Sequence, residues 1–208
     1  YRVDAVVGEG GFGVVYRGWH ASLDQQIAVK ALKMVDAEDA KVKDALLAKF
    51  RDEAKILYTL SQASLHVVRS IDFGVVNAPS GLWAPYMVLE WLEGRSLAQD
   101  LDARRRQGLG GRTLEEALAI LEPAAEGLGV AHQRCIAHRD FKPGNLFLLD
   151  DPSGPRVKVL DFGIAKIVRD GEGGGTKSAF SSFTWAYAAP EQLDPRIGAT
   201  GLETDVYA

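Results

Sequence analysis

The segment 138–145 carries the densest set of chemically active side chains in the sequence. It places a carboxylate, Asp140, close to an ammonium, Lys142, and an amide, Asn145. An aspartate can accept or orient a hydroxyl proton, a lysine can balance phosphate charge, and an asparagine oxygen can bind a metal ion. The segment is predicted to be a loop, because it follows a predicted helix and precedes the apolar run Leu146–Leu149. A polar loop without function is the minority interpretation.

A glycine-rich segment near the start of the chain could bind phosphate. Gly8, Gly10 and Gly13 fit the pattern Gly-x-Gly-x-x-Gly, in which glycines permit positive φ and let backbone N–H groups approach phosphate oxygens. The dinucleotide-binding version of this pattern needs a helix after it, whereas a strand is predicted here, so a hairpin over the phosphates is favoured. Taken alone the motif is weak, and a simple glycine-rich turn is the alternative.

Two charged residues lie where apolar residues are expected. Lys30 lies on an otherwise apolar strand predicted over 26–32, and Glu53 lies on the apolar face of a helix predicted over 43–60. Because a buried ammonium is costly unless it is paired, the two are natural partners. Two snorkelling surface side chains are an equally supported interpretation. Asp161 ends another apolar run and is a second candidate metal ligand, with a simple turn as its alternative.

Hydrophobic periodicity divides the chain near Glu93–Gly94 into a β-rich part and a mainly helical part. The first part has β-branched and aromatic runs and one helix, and the second has a 3.6-residue period over 114–132. Two helix starts carry a capping-box pair, namely Ser96 with Gln99 and Thr113 with Glu116. The strands are predicted over 3–7, 14–19, 26–32, 67–73, 85–90, 146–149 and 157–160.

Composition and charge exclude several function classes. The chain has 208 residues, of which 47% are hydrophobic and 25% charged, as expected of a globular protein, and its net charge of −4 argues against nucleic-acid binding. No apolar run approaches the roughly 20 residues that a membrane helix needs, and the N-terminus has no signal-peptide pattern. The lone Cys135 cannot form an internal disulfide, so a cytoplasmic location is predicted.

The order and spacing of these motifs resemble the protein kinase family across the whole chain. The resemblance is carried, in the family's order, by the glycine-rich loop, Ile27-Ala28-Val29-Lys30, Glu53, the segment 138–145, Asp161-Phe162-Gly163, Ala189-Pro190-Glu191 and Asp205-Val206-Tyr207. It implies an α+β, two-lobed fold. Residues 1–93 would form a small antiparallel-sheet N-lobe with one major helix, and residues 94–208 an incomplete, mostly helical C-lobe.

The resemblance implies a Ser/Thr protein kinase that transfers the γ-phosphoryl group of Mg-ATP. Asp140 would be the catalytic base, and Lys142 would contact the γ-phosphate. Lys30, held by Glu53, would bind the α- and β-phosphates. Asn145 and Asp161 would coordinate magnesium. The nucleotide would contact three groups of residues: the glycines Gly8, Gly10 and Gly13, the residues Val15, Ala28 and Phe147 on either side of the adenine ring, and the hinge residues Leu89, Glu90 and Leu92. For the apolar residues among them, core packing is an alternative.

Regulation and substrate choice are also implied by the resemblance. Arg139 beside Asp140 suggests control through phosphorylation of the activation segment, although an unmodified loop residue is the better prediction for any single site. The candidate phosphosites are Thr176, Ser178, Ser181 and Ser182. Thr184 matches a threonine of the Ser/Thr branch on the substrate side. The partners would be proteins with Ser/Thr acceptors, and a dimer could support autophosphorylation. The segment 186–192 resembles bacterial kinases, so a bacterial origin is predicted.

Two other functions compete with this interpretation. A nucleotide-binding scaffold without transfer activity would lack Lys30, Asp140 or Asp161, and all three are present. A small-molecule phosphotransferase of related fold would lack the segment containing Glu191. The chain begins at Tyr1 and stops at Ala208 in a predicted helix start, so it is expected to be a piece of a longer protein. That protein could carry a membrane anchor beyond residue 208. In the family the equivalent of Glu191 pairs with an arginine from a later helix, and no arginine follows the helix of Asp205 here, so Glu191 is expected to lack its charge partner and the piece alone to be unstable or inactive.

Overall fold

The computed structural model describes residues 1–10, 13–32, 40–77, 83–150, 156–162, 185–194 and 196–208. For residues 40–43, 45, 46, 49, 53, 156 and 185 it describes the backbone alone. The chain divides into two compact units. The described residues of Tyr1–Thr59 and Arg69–Leu92 belong to the first, and those of Leu60–Val68, Glu93–Gly163 and Thr184–Ala208 belong to the second. The domain ranges predicted from the sequence stay a prediction.

The first unit is built on a five-stranded antiparallel sheet in the order β1-β2-β3-β5-β4. Its core contains Ile27, Val29 and Val88, against which Tyr16 and Tyr86 pack. Because successive side chains of a strand point to opposite faces, Ile27 and Val29 share one face, and Val88, which pairs with Val29, lies on the same face. The strands are β1 Arg2–Glu9, β2 Gly13–His20, β3 Gln25–Leu32, β4 Ser70–Asn77 and β5 Trp83–Glu90.

Both edge strands of this sheet are irregular. The register of β1 against β2 shifts between Val3 and Ala5 and again between Val6 and Gly8. The register of β4 against β5 shifts between Ser70 and Asp72. Shifts of this kind are characteristic of β-bulges, which bend and twist a strand.

The sheet is curled, as a hydrogen bond between its two edges shows. The Tyr1 hydroxyl, next to β1, donates a hydrogen bond of 2.7 Å to Asp72 on β4. In a flat sheet these edges would lie about 19 Å apart, four strand spacings, which exceeds the reach of a tyrosine. Burial and the Asp72 carboxylate raise the pKa of Tyr1 to about 12. The curl encloses a largely apolar cavity of about 900 Å³, lined in part by Val14, Tyr16 and Val29.

One long helix, α1, covers Ala40–Ala63. Its buried face contains Phe50, Ala54, Leu57 and Leu60, spaced by three or four residues as the predicted helical period requires. The helix begins earlier than the predicted start at residue 43.

The strand predicted over 67–73 is displaced along the chain. The structure begins β4 at Ser70, while Val67 forms an isolated bridge with Val159 and the Val68 N–H donates to the Val159 carbonyl. The β-branched pair Val67-Val68 does adopt extended pairing, but with the second unit's sheet. Local propensity therefore predicted the conformation of these residues and not their partner.

The second unit combines a small antiparallel sheet with helices. The sheet has the order β6-β7-β8, with β6 Gly94–Ser96, β7 Leu146–Leu149 and β8 Arg156–Val159. The helices are α2 Leu97–Arg106, α3 Leu114–His132, α4 Pro190–Leu193 and α5 Leu202–Tyr207. Both predicted capping boxes are confirmed, because Ser96 and Thr113 each accept the expected backbone hydrogen bond. Among the described residues, no helix is long and apolar enough to cross a membrane.

Candidate active site

The loop between α3 and β7 brings three predicted catalytic side chains together. Lys142 Nζ lies 2.9 Å from Asp140 Oδ1 and 2.8 Å from Asp140 Oδ2, so the ammonium bridges the carboxylate. Asn145 Nδ2 donates to the Asp140 carbonyl at 2.7 Å and to Asp140 Oδ2 at 3.0 Å. A 3-10 turn over Pro143–Asn145, closed by the Asn145 N–H bond to the Lys142 carbonyl, returns Asn145 toward Asp140. The side chains of Asp140 and Lys142 both keep partial access to solvent.

His138 forms the buried base of this loop. It is 0% exposed, and burial lowers the pKa of its imidazole despite the nearby carboxylates, so the ring is neutral. The Asp140 N–H donates to His138 Nδ1 at 3.3 Å, so the ring proton lies on Nε2, which donates to the Leu160 carbonyl at 2.7 Å. The ring also packs against Phe162, with a centroid separation of 4.7 Å. His138 therefore ties the catalytic loop to the backbone preceding Asp161.

Asp205 on α5 anchors the loop backbone. Its side chain is 0% exposed, and its two oxygens accept from the N–H groups of Arg139 at 2.6 Å and His138 at 2.7 Å. His132 Nε2, at the end of α3, lies 2.8 Å from Asp205 Oδ2, and since the carboxylate can only accept, the imidazole donates. This contact of His132 with Asp205 was not predicted from the sequence.

Gln192 on α4 also contacts the loop and was not singled out from the sequence. Its Nε2 donates to the Arg139 carbonyl at 2.7 Å, and its Oε1 accepts from the Ala189 N–H at 3.1 Å. Arg139 has φ 64°, in the left-handed region that residues with a side chain rarely adopt. Two helices, α4 and α5, thus hold the backbone on either side of this unusual residue.

Glu191 has a partner that the sequence did not indicate. The hydroxyl of the buried Thr204 donates to Glu191 Oε1 at 2.6 Å, and this hydrogen bond lowers the pKa of the carboxyl. Glu191 itself is only partly buried. The expectation that Glu191 lacks a charge partner stays a prediction. Its carboxylate is nevertheless partly exposed and hydrogen-bonded, so the predicted instability loses its premise of a buried, unsatisfied charge.

Asn145 and Asp161 come from adjacent ends of two paired strands. The Leu160 N–H donates to the Asn145 carbonyl at 2.8 Å, one residue before Asp161, which has φ 61°. The carboxylates of Asp205, Asp140 and Asp161 each favour the charged form of the His138 imidazole, although burial outweighs them and lowers its pKa. Within the described residues there is no cluster of three or more His, Cys, Asp or Glu arranged for a metal. Two oxygen-bearing side chains suit Mg²⁺, which takes its remaining ligands from phosphates and water.

Four of the predicted nucleotide-binding residues of the first unit share one face of its sheet. Val15 lies opposite Lys30, and Ala28 lies opposite Leu89, so all four side chains are on the face away from the curled cavity. None of the predicted ATP-binding residues lines that cavity. The cavity is therefore not the predicted nucleotide site.

The glycines of the β1–β2 hairpin have different constraints. The Gly10 N–H donates to the Gly13 carbonyl at 2.9 Å. A Cβ on Gly13 would lie 2.2 Å from the Ala31 carbonyl oxygen, so Gly13 is required by the close approach of β3. A Cβ on Gly10 would meet no described atom within 4 Å, so the described packing does not explain that glycine.

Comparison with known proteins decides the family. The model of the protein kinase domain matches residues 1–208, the entire chain. The chain belongs to the protein kinase family. The fold of this kinase resembles the crystal structure of the Mycobacterium tuberculosis PknI kinase domain, with a TM-score of 0.68 and 22% identity over 98% of this chain and 66% of that one. The predicted α+β kinase fold is confirmed.

The kinase also has curated bacterial relatives. It is 34% identical to a probable serine/threonine-protein kinase PknB of Corynebacterium glutamicum and to the serine/threonine-protein kinase pkn2 of Myxococcus xanthus. It is 33% identical to serine/threonine-protein kinase A of Synechocystis. Each match covers all of this chain but only 30%, 23% and 38% of the respective relative. These sources agree with the predicted bacterial origin.

Several predicted site residues of this kinase lie outside the described residues. The Glu53 side chain is one, so its pairing with Lys30 stays a prediction. The same holds for Thr184 and for the phosphosite candidates Thr176, Ser178, Ser181 and Ser182. The adenine contacts proposed for Leu92, Phe147 and Glu90 also stay predictions. Glu90 Oε1 accepts from the Arg69 N–H at 2.8 Å, which fixes its side chain at the end of β5.

A second charged cluster of the kinase was missed from the sequence. Asp100 on α2 is 4% exposed, and its carboxylate accepts hydrogen bonds from two arginines. Its Oδ1 accepts from Arg95 Nε at 2.9 Å, and its Oδ2 accepts from Arg112 Nη2. Burial raises the pKa of Asp100, but the hydrogen bonds and charges of the two arginines outweigh it and lower the pKa. The cluster connects β6, α2 and the segment before α3.

The Asp100 cluster is expected to stabilise this kinase in a pH-dependent way. Asp100→Asn removes the anion that both arginines contact, so it should lower the free energy of unfolding by about 1–3 kcal/mol at neutral pH. Because the folded pKa lies below the unfolded value of 3.8, the ionised form stabilises the fold above about pH 4, and the effect is lost as pH falls through the folded pKa. Urea unfolding of the wild type and the variant across this range measures it.

Asp102→Asn is the matched control, because Asp102 lies on the same helix with a side chain that is 57% exposed. It should leave stability unchanged. A difference between wild type and Asp100→Asn that already vanishes between about pH 7 and pH 5 would contradict the role given to Asp100.

Proposed function

We propose that this chain is the catalytic part of a Ser/Thr protein kinase that transfers the γ-phosphoryl group of Mg-ATP to protein hydroxyls. The observation that carries the proposal is the carboxylate of Asp140, held by Lys142 and Asn145 on a loop whose backbone is anchored by Asp205. A carboxylate fixed in this way, beside a lysine and an amide, is suited to orienting a hydroxyl toward a phosphate. The relatives named Ser/Thr protein kinases support the same acceptor class.

Asp140 would accept the hydrogen bond of the substrate hydroxyl and take its proton as the oxygen attacks the γ-phosphorus. Lys142 already contacts both carboxylate oxygens, at 2.9 and 2.8 Å. Its flexible stem lets the ammonium turn toward the γ-phosphate without leaving the loop. Asn145 Nδ2 also donates to Asp140 Oδ2 at 3.0 Å, so the carboxylate keeps a side-chain hydrogen bond when Lys142 moves.

Asn145 and Asp161 would hold the divalent metal through their side-chain oxygens. Mg²⁺ bound there would neutralise charge on the transferred phosphoryl group. The backbone bond between Leu160 and Asn145, at 2.8 Å, sets the separation of the two ligand-bearing residues. Lys30 and the glycines Gly8, Gly10 and Gly13 would bind the phosphates from the first unit, with Lys30 oriented by Glu53. Val15, Ala28, Leu89, Glu90, Leu92 and Phe147 would contact the adenine.

Regulation by phosphorylation of the activation segment is part of the proposal. Arg139 Nε is buried and has no hydrogen-bond partner among the described residues. A buried donor without a partner is costly, and a phosphate on Thr176, Ser178, Ser181 or Ser182 would supply strong acceptor oxygens. Protein substrates would meet Thr184. Autophosphorylation within a dimer would be one route to the phosphorylated form.

The proposal is tested by phosphate transfer. The full-length protein is incubated with γ-labelled ATP and Mg²⁺, with itself and a Ser/Thr-rich protein as acceptors, and the labelled amino acids are identified after hydrolysis. Label on serine or threonine that requires Mg²⁺ is expected. Folded protein that binds ATP and yields no label would instead indicate a nucleotide-binding scaffold.

A further inference from the structure

The peptide group immediately before Asp140 is held at both of its polar atoms. Its N–H, that of Asp140, donates to His138 Nδ1 at 3.3 Å. Its carbonyl, that of Arg139, accepts from Gln192 Nε2 at 2.7 Å. Because the peptide group is planar, fixing these two atoms fixes the orientation of the plane from which the Asp140 side chain departs.

This peptide group needs external support. Arg139 has φ 64°, and a residue with a Cβ is disfavoured in that region, so the conformation persists only where the surroundings hold it. Asp205 Oδ1 accepts a hydrogen bond from the Arg139 N–H at 2.6 Å. On the carbonyl side the described contact is Gln192. Loss of that contact would let the peptide plane rotate while the anchor at Asp205 stays in place.

The side-chain amide of Gln192 makes two hydrogen bonds with different roles. Its Oε1 accepts from the Ala189 N–H at 3.1 Å, which caps the start of α4, and its Nε2 donates to the catalytic loop. A carboxylate at this position could still accept from Ala189 but could not donate to Arg139. The capping role and the loop contact can therefore be separated by a single isosteric substitution.

We propose that Gln192 is a positioning residue, which aims Asp140 at its substrate by holding the Arg139 carbonyl. The inference rests on the proposed kinase function. It assigns a role to the residue that follows Ala189-Pro190-Glu191 and links this segment directly to the catalytic loop. Gln192 does not touch the reacting atoms, so its effect is on the rate of transfer and not on nucleotide affinity.

Gln99 provides a matched control within the same unit. It occupies the equivalent position of the capping box on α2, where its Oε1 accepts from the Ser96 N–H at 2.9 Å. Its described hydrogen bonds are with Ser96, so Gln99→Glu makes the same chemical change without a contact to the catalytic loop. Gln192→Glu should fold but have a somewhat lower thermal unfolding midpoint than Gln99→Glu, because only the first variant loses a hydrogen bond to the loop.

The kinetic test compares these two variants in the full-length protein. Gln192→Glu is expected to lower kcat roughly 10- to 100-fold, with KM for ATP within about twofold of wild type, since small misplacement of a catalytic group has effects of this size. Gln99→Glu should keep the wild-type kcat. Gln192→Met, which is neutral and lacks the donor, should lower kcat in the same way and serves if the glutamate variant does not fold. A kcat for folded Gln192 variants equal to that of Gln99→Glu would overturn the inference.

Hydrogen exchange of the segment 138–142 tests the same role without enzyme activity. In Gln192→Glu the amides of this segment should exchange about tenfold faster than in wild type, while in Gln99→Glu they should not change. Wild-type protein that transfers no phosphate would refute the proposed function, and the exchange rates would still decide the role of Gln192. Equal exchange rates of the segment 138–142 in Gln192→Glu and Gln99→Glu would overturn the positioning role of Gln192.

Discussion

Replacing Asp140 with asparagine is expected to lower kcat for phosphate transfer by roughly 10²–10⁴, the range typical of losing a positioned general base. The substitution keeps the shape of the side chain but removes its charge and half of its acceptor capacity. Lys142, which lies 2.8 Å from the carboxylate, loses its anionic partner at the same time. Steady-state transfer of labelled phosphate measures kcat, and equilibrium titration with ATP measures nucleotide binding, which should be retained.

Asp150→Asn is the control for this prediction. Asp150 follows β7 directly, its side chain is 65% exposed, and it pairs with Arg95 at 3.5 Å. The same chemical change there should leave kcat unaltered. An Asp140→Asn variant that keeps wild-type kcat, or that loses activity only because it no longer binds ATP, would remove Asp140 from the proposed mechanism.

Replacing Asp205 with asparagine is expected to lower the free energy of unfolding by about 3–5 kcal/mol, as when one partner of a buried charge interaction is removed. The carboxylate is fully buried and accepts from three donors: the N–H groups of His138 and Arg139 and the Nε2 of His132. An amide would turn an N–H toward at least one of them. Since domains have a total stability of about 5–15 kcal/mol, urea unfolding should detect the loss readily.

Asp194→Asn separates this effect from a general loss of negative charge. Asp194 pairs with Arg196, whose side chain is 90% exposed, and such surface pairs contribute little to stability. Its unfolding curve should superimpose on that of wild type. Asp205→Asn should also lower kcat, because the catalytic loop loses its backbone anchor. Equal stability of the two variants would show that the buried contacts of Asp205 carry no net free energy.

What could be predicted from the sequence depended on how local the interactions are. Asp140, Lys142 and Asn145 lie in one short loop, so their spacing alone indicated a shared site. The capping boxes are equally local, since each joins residues three positions apart.

Contacts between distant segments could not be predicted in this way. Asp205 is 73 positions from His132, and Gln192 is 53 positions from Arg139. No periodic or compositional signal marks either residue. The family resemblance of Asp205-Val206-Tyr207 did indicate that Asp205 lies on a helix anchoring the loop 138–145, and the hydrogen bonds to the His138 and Arg139 N–H groups confirm this, whereas nothing singled out Gln192. The partly buried Glu191 shows the same limit, because its donor Thr204 is supplied by a separate helix.

The bulges in β1 and β4 bear on how the protein avoids self-association. An edge strand with a continuous row of unpaired N–H and C=O groups is a template to which a strand of another molecule can pair. Here β1 exposes Val3, Val6 and Val7, an apolar edge that would otherwise invite such pairing. Its two register shifts interrupt the row, and the shift in β4 does the same at the opposite edge. In the folded protein, these irregularities therefore work against intermolecular strand addition at both edges of the sheet.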